Sequence, residues 1–506
     1  VIRMRILVIL LVAVAAILLL RVTARAVWAL PDTPMTVAED AAPERASLVA
    51  RLVERELPAD GEGNFVRLLD DGRDAFAVRI MSVDKAAQSI DAQYYIWHAD
   101  TTGWMMLDRL LEAARRGVRV RLLVDDNGIA GMDEALATLD AMPNAQVRLY
   151  NPFVLRWMKP LGYLFDGDRL NHRMHNKQLI VDGSLAILGG RNIGDDYFYY
   201  GEGTHFFDMD ALVAGPVVDE ASAIFEQFWG SALSYPIGQF VESGNPALID
   251  GAAEAAQLTM IGSAYVDATG SASEWRRRLV EGGEVTRVEL RSDSPAPSID
   301  RPRPGTEMVD WLEEKVGVAE ETVDIVSAYF IPGRRGMEAI GAAAGRGVDF
   351  RIVTNSLGAT DVPPVFGAYA KYREELLDDG VELYEFRAAP GDKAQINWRH
   401  SFRSTASLHG KSLIVDGRDV FVGSFNLDPR SAQLNSEMGL FFEDPDTAAR
   451  LAAMIDRNAF LWSVERDGEG EIVYVDEEGR VADPDVGIMR RILAWFGRFD
   501  AVEPLL

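Results

Sequence analysis

At 506 residues the chain is too long for one ordinary domain, and its hydrophobic (48%) and charged (25%) shares are those of a folded protein. A formal net charge of −27 argues against nucleic acid as a partner, because phosphate binding calls for a basic face. The absence of cysteine excludes disulfides, thiol catalysis and Cys-ligated zinc.

The first segment carries no charged or polar residue from Ile6 to Leu20, with Arg3 and Arg5 before the run and Arg21 after it. At about 15 residues it is shorter than the roughly 20 that cross a bilayer. Ala24-Arg25-Ala26 offers a small-x-small cleavage site. Residues 1–26 therefore read as a signal anchor or signal peptide, with the body outside the cytoplasm. Residues 27–60 form a polar, Ala-rich linker with helical periodicity over Ala46–Leu57.

From residue 61 the pattern becomes that of an α/β lobe. Ser89 to Trp97 is rich in aromatic and β-branched residues and predicts a strand. Gly103 to Arg116 predicts an amphipathic helix, stopped by Gly117. Strands follow at Val118–Val124 and Ala145–Tyr150, with a helix near Met132–Leu139 between them. This order predicts a parallel α/β sheet. It then recurs: Glu321–Ile331 matches the strand at 89–97, Asp349–Thr354 that at 119–124, and Val381–Tyr384 repeats Val147–Tyr150 at an offset of 234. Two copies of a whole domain are expected, with lobe 1 at 61–250 and lobe 2 at 305–465. Residues 251–304 form the connection, Pro/Ser-rich over Ser292–Pro304. Residues 466–506 supply an acidic stretch and then Gly487–Phe499, a basic amphipathic helix with Trp and Phe that suits either a membrane interface or a place on the body.

The chemistry lies in a pattern present in both lobes. His175 to Asn192 reads HNKQLIVDGSLAILGGRN, and His409 to Asn426 reads HGKSLIVDGRDVFVGSFN. Each holds His, Lys two positions on, then Asp, Gly and Asn at the same spacings, and the copies are 234 residues apart. His175 and Lys177, like His409 and Lys411, are i and i+2 and leave one face of an extended chain. Asp182-Gly183 and Asp416-Gly417 between apolar runs signal hairpins. The small residues Gly190 and Ser424 let a substrate approach the backbone, and Asn192 and Asn426 can donate hydrogen bonds. Two His, two Lys and two Asn on one surface suit a phosphodiester. One imidazole attacks phosphorus, the other protonates the leaving oxygen, and the lysines and amides hold the non-bridging oxygens. No metal or cofactor is required. Each imidazole needs an orienting carboxylate. Glu437 is the candidate in lobe 2 and Asp208 in lobe 1, with Asp210 in reserve. His98, His205 and His400 read as structural or rim residues.

The doubled H-x-K-x4-D-x6-G-[SG]-x-N pattern resembles the phospholipase D superfamily over about residues 60–465. Arg173–Lys177, Gly189–Phe198, Asn355–Pro363 and Val381–Phe386 are similar to its bacterial cardiolipin synthases. The resemblance implies two α/β/α sandwich lobes related by a pseudo-twofold, with the site between them. It implies a metal-independent phosphatidyl transfer through a phosphohistidine, with phosphatidylglycerol as acceptor and a second phospholipid such as phosphatidylethanolamine as donor. It also implies a place at the bacterial inner membrane. Asp182 and Asp416 are counted with the catalytic set, although in the family the motif Asp usually supports structure away from the phosphate. His175 is the expected nucleophile. Hydrolysis to phosphatidic acid is the alternative outcome, and a nuclease of the same superfamily a weaker one. The apolar stretch Trp157–Phe165, with Trp157 and Tyr163, is expected to cradle acyl chains or touch the bilayer.

Overall fold

A computed structural model of the protein describes residues 23, 29–31, 47–57, 63–198, 205–258, 272–296, 306–387, 406–456, 461–476, 479–481 and 486–506. The expected signal segment lies almost wholly outside the described residues, as does His400. Among the described residues no helix is long and apolar enough to cross a membrane.

Lobe 1 contributes β1 (Asn64–Leu69), β2 (Ser89–Ile96), β3 (Arg119–Gly128), β4 (Ala145–Tyr150), β5 (Arg173–Met174), β6 (Gln178–Val181), β7 (Leu185–Gly189), β8 (His205–Phe207), β9 (Asp210–Ala214), β10 (Ser234–Pro236) and β11 (Glu284–Thr286). Lobe 2 contributes β12 (Val288–Ser292), β13 (Thr322–Ser327), β14 (Asp349–Asn355), β15 (Glu382–Phe386), β16 (Ala406–Leu408), β17 (Lys411–Val415), β18 (Asp419–Gly423), β19 (Asn435–Ser436), β20 (Met438–Glu443), β21 (Leu461–Arg466), β22 (Ile472–Asp476) and β23 (Gly479–Val481). The larger sheets share one order. The run β4-β3-β2-β6-β7-β9-β1 in lobe 1 corresponds to β15-β14-β13-β17-β18-β20-β12 in lobe 2. The sheets are mixed rather than parallel throughout. β2, β3 and β4 are parallel, as are β13, β14 and β15, but the motif strands β6, β7, β17 and β18 join antiparallel as hairpins.

Each motif strand is apolar along its length because both faces of its sheet are covered. Leu179 and Val181 face the outer core of lobe 1, while Ile180 between them faces an inner core shared with lobe 2. Leu413 and Val415 face the outer core of lobe 2, and Ile414 meets the same inner core. Burying each such side chain contributes about 1.5–3 kcal/mol. The inner core, with helices Val217–Trp229 and Pro445–Asp456 in it, joins the lobes.

Three sequence expectations shift. The span 251–304 is not only a connection, because β11 pairs with β1 of lobe 1 and β12 with β20 of lobe 2, so the handover falls at Arg287. The acidic stretch after 465 carries β22 and β23, which extend the lobe 2 sheet through β21. The offset of 234 holds for the motif strands but not for β4 and β15. Val147 pairs with Leu122 and Leu383 with Ile352, so Val147 corresponds to Leu383 and not to Val381. The two-residue slip keeps each side chain on its face.

Candidate active site

Two short parallel pairings cross between the lobes. β5 pairs with β19, and β8 pairs with β16. They carry the motif histidines into the opposite lobe: His175 N–H donates to Ser436 O (2.9 Å) and His409 N–H to Phe207 O (2.8 Å). β5 and β16 are followed at once by the motif histidines, and their partners β19 and β8 at once by a carboxylate. His175 Nδ1 lies 2.8 Å from Glu437 Oε2, and His409 Nδ1 lies 2.6 Å from Asp208 Oδ2. Each imidazole is thus oriented by the other lobe, not by its own. Asp210, the reserve candidate, is held by Arg79 and Arg191 and takes no part in this pairing.

The cluster is buried, and every ionisable group in it feels that. Loss of water, with the lysines beside it, lowers His175 to about 4 against the pull of Glu437. Burial lowers His409 in the same sense. Lys177 falls well below the usual lysine range through burial, and Lys411 is lowered too. Burial would raise both carboxylates, but it is outweighed: His409, Lys411 and Arg191 hold Asp208 below its usual range, and His175, Lys177 and Ser424 do so for Glu437. The imidazoles of the free enzyme are neutral at pH 7. With Nδ1–H turned to the carboxylate, each imidazole carries its lone pair on Nε2.

Lys177 Nζ donates to His175 O (2.5 Å), and Lys411 Nζ donates to His409 O and lies 3.0 Å from His409 Nδ1. Asn192 is buried and accepts from Ile96 N–H through Oδ1 (3.0 Å). Asn426 is buried, and its Oδ1 has no partner among the described residues.

The lobes differ at the small residue before the Asn. Ser424 Oγ donates to Glu437 Oε2 (2.5 Å). At Gly190 a Cβ would meet Asp208 Oδ1 at 2.1 Å, so this glycine makes room for the carboxylate that holds His409. Asp182 and Asp416 are not brought to the cluster. Each sits at its hairpin with φ of 52° and accepts from three successive backbone N–H groups, of residues 87–89 and 320–322 respectively. They tie the hairpin to the start of the neighbouring strand.

Two aromatic residues at the cluster were not singled out as site residues by the sequence. Tyr95 meets the His175 ring edge-on at 4.9 Å, and Tyr197 meets His409 at 5.2 Å. Tyr197 lies in the Gly189–Phe198 stretch that carries the family resemblance, which was the available signal. Tyr163 reaches the same region indirectly, donating to Asn127 Oδ1 (3.2 Å), whose amide donates to Tyr95 (3.2 Å). Trp157 is 75% exposed and stands outside the cluster. His172 is turned to Leu434 O, and His98 Nδ1 lies 3.7 Å from Asp100 Oδ2.

The model of the family described as "Cardiolipin synthase, PLD-like domain" matches residues 80–229 and 312–459, one stretch in each lobe. Cardiolipin synthase C of Escherichia coli (strain K12) is 36% identical over 460 residues, covering 87% of this chain and 95% of that protein. A probable cardiolipin synthase, YwiE of Bacillus subtilis (strain 168), is 27% identical, covering 78% of this chain and 65% of that protein. The fold is similar to the crystal structure of a phosphatidylserine synthase from Haemophilus influenzae Rd KW20, with a TM-score of 0.57 at 15% identity over 90% of this chain and all of that one. The chain belongs to the phospholipase D-like family of cardiolipin synthases.

Proposed function

We propose that the protein is a phosphatidyltransferase that makes cardiolipin, with phosphatidylglycerol as acceptor and a second phospholipid, such as phosphatidylethanolamine, as donor. The observation that carries this reading is the buried cluster of two crossed imidazole–carboxylate pairs with a lysine beside each. It supplies every group that a two-step displacement at phosphorus needs.

In the first step His175 Nε2 attacks phosphorus and the bond to the donor's headgroup oxygen breaks. His409, protonated as the phosphate anion enters, gives its proton to that oxygen, and the freed alcohol departs. Lys177, Lys411 and the amides of Asn192 and Asn426 stabilise the charge on the non-bridging oxygens. In the second step His409 removes the proton from the acceptor hydroxyl. That oxygen attacks phosphorus, the P–N bond breaks, and His175 is regenerated neutral.

The substrates place the enzyme at a membrane, and the apolar run at 6–20 supports an anchor in the bacterial inner membrane with the body on its outer side. Incubation of the membrane-bound protein with labelled phosphatidylglycerol, with and without phosphatidylethanolamine, tests the reading. Labelled cardiolipin is expected. Phosphatidic acid as the main product would indicate hydrolysis instead, and unchanged lipid would refute both.

A further inference from the structure

The helix Ile488–Gly497 is held to lobe 2 by a narrow side only. Ala494 and Gly497 are its buried residues. A Cβ on Gly367 would meet Ala494 O at 1.7 Å, and one on Gly497 would meet Pro364 O at 1.8 Å, so this helix lies backbone-to-backbone on helix Pro363–Tyr369. That contact fixes which face turns outward. Ile488, Met489, Ile492, Trp495, Phe496 and Phe499 are between 43% and 77% exposed. Trp495 packs edge-on against Phe496 (5.2 Å) and Phe499 (4.7 Å), so the aromatic residues form one exposed cluster. The charges are equally one-sided. Gly487–Phe499 holds three arginines and no acidic residue, in a chain of net charge −27. A second exposed apolar patch, Trp157, Met158 and Leu164, stands on lobe 1 at helix Lys159–Leu170. Arg430 ties the two regions together, donating to Asn171 at the end of that helix and to Leu505 O near the C-terminus.

We propose that these two segments form one rim that seats the enzyme on the surface of an anionic phospholipid bilayer. This deepens the reading of the protein as a phosphatidyltransferase and rests on it. A helix with Trp and Phe outward and Arg beside them, its other side occupied by the protein body, suits the headgroup–acyl boundary. Arg491 and Arg498, both exposed, complement anionic headgroups, which an otherwise acidic surface would repel. The rim is also wired to the chemistry. Arg490 donates to the carbonyls of Leu357, Gly358 and Thr360, and the next residue, Asp361, accepts from Tyr329 (2.8 Å). Phe330 then bridges to Leu427, directly after Asn426. Seating this helix therefore sets the position of the lobe 2 half-site against the lipid.

The cysteine-free sequence makes the test direct. Single cysteines at Ile492 and Trp157, with Val318 at the opposite end of lobe 2 as control, are labelled with an environment-sensitive fluorophore. The full chain is reconstituted in phosphatidylethanolamine vesicles with or without phosphatidylglycerol, with nitroxide lipid as quencher. Labels at 492 and 157 are expected to be quenched at least about threefold more than at 318, and more strongly when phosphatidylglycerol is present. Equal quenching at all three positions, or no response to the anionic lipid, would overturn the proposal. Trp495→Glu with Phe499→Glu is expected to lower turnover of vesicle lipid about tenfold while changing turnover of monomeric short-chain lipid less than about twofold. Equal loss on both substrates would also overturn it. Failure of the transferase reading would show separately, as no cardiolipin from the unaltered protein on either substrate.

Discussion

Glu437 of lobe 2 holds His175 of lobe 1 by its Nδ1 at 2.8 Å, and Asp208 of lobe 1 holds His409 of lobe 2 in the same way at 2.6 Å. Neither motif imidazole takes its carboxylate from its own lobe. Replacing Glu437 by Gln leaves His175 without a fixed tautomer and should lower kcat by about 10²–10⁴-fold, with Asp208→Asn behaving alike. Circular dichroism should show a folded protein in each case. A kcat within a factor of two of the unaltered enzyme would contradict the crossed pairing.

Gly190 offers a second test of that pairing. A Cβ there would meet Asp208 Oδ1 at 2.1 Å. Gly190→Ala should push the carboxylate off His409 and cost at least about tenfold in turnover. The change Ser424→Ala, which removes a hydroxyl without adding atoms, should cost less. Steady-state rates of the two variants decide the order.

Burial sets the pH behaviour. His175 titrates at about 4 in the folded protein and at about 6.5 when unfolded. Because its folded value is depressed, the unfolded chain takes up the proton first. Stability is therefore full above about pH 6.5 and declines as the pH falls towards 4, by about 3 kcal/mol from this group. Denaturant midpoints measured across that window should fall with pH, and His175→Ala should flatten the decline. In NMR of histidine-labelled protein, the His175 imidazole should remain neutral at pH 6.

How much of this was legible in the sequence depended on what was repeated. His175, Lys177 and Asn192 stood out because His409, Lys411 and Asn426 copy them at one offset. The lobes, the hairpins at Asp182 and Asp416, and the two carboxylates could also be named. What could not be read was the crossing. Whether Glu437 serves His409 or His175, 262 residues away, depends on β5 docking beside β19, and that pairing spans only two residues. Tyr95 and Tyr197 were hidden for a different reason, since an aromatic residue in an apolar strand or loop reads as core. β22 and β23 were hidden by the acidic residues around them: Ile472–Val475 is itself strand-like, but it lies inside Asp467–Asp485, which reads as one acidic stretch.

The proposed chemistry draws its positive charge from Lys177 and Lys411 and needs no metal. Chelators should leave turnover unchanged. A strict requirement for a divalent cation, restored by adding it back, would refute the scheme.

The proposed active site is one site assembled from both copies of the motif. Turnover of His175→Ala and His409→Ala, each purified in membranes beside the unaltered protein, tests it most directly. Each variant should keep less than about a thousandth of the activity, because each lacks either the nucleophile or the proton donor of every cycle. Full activity in either one would contradict a site built from the two lobes together.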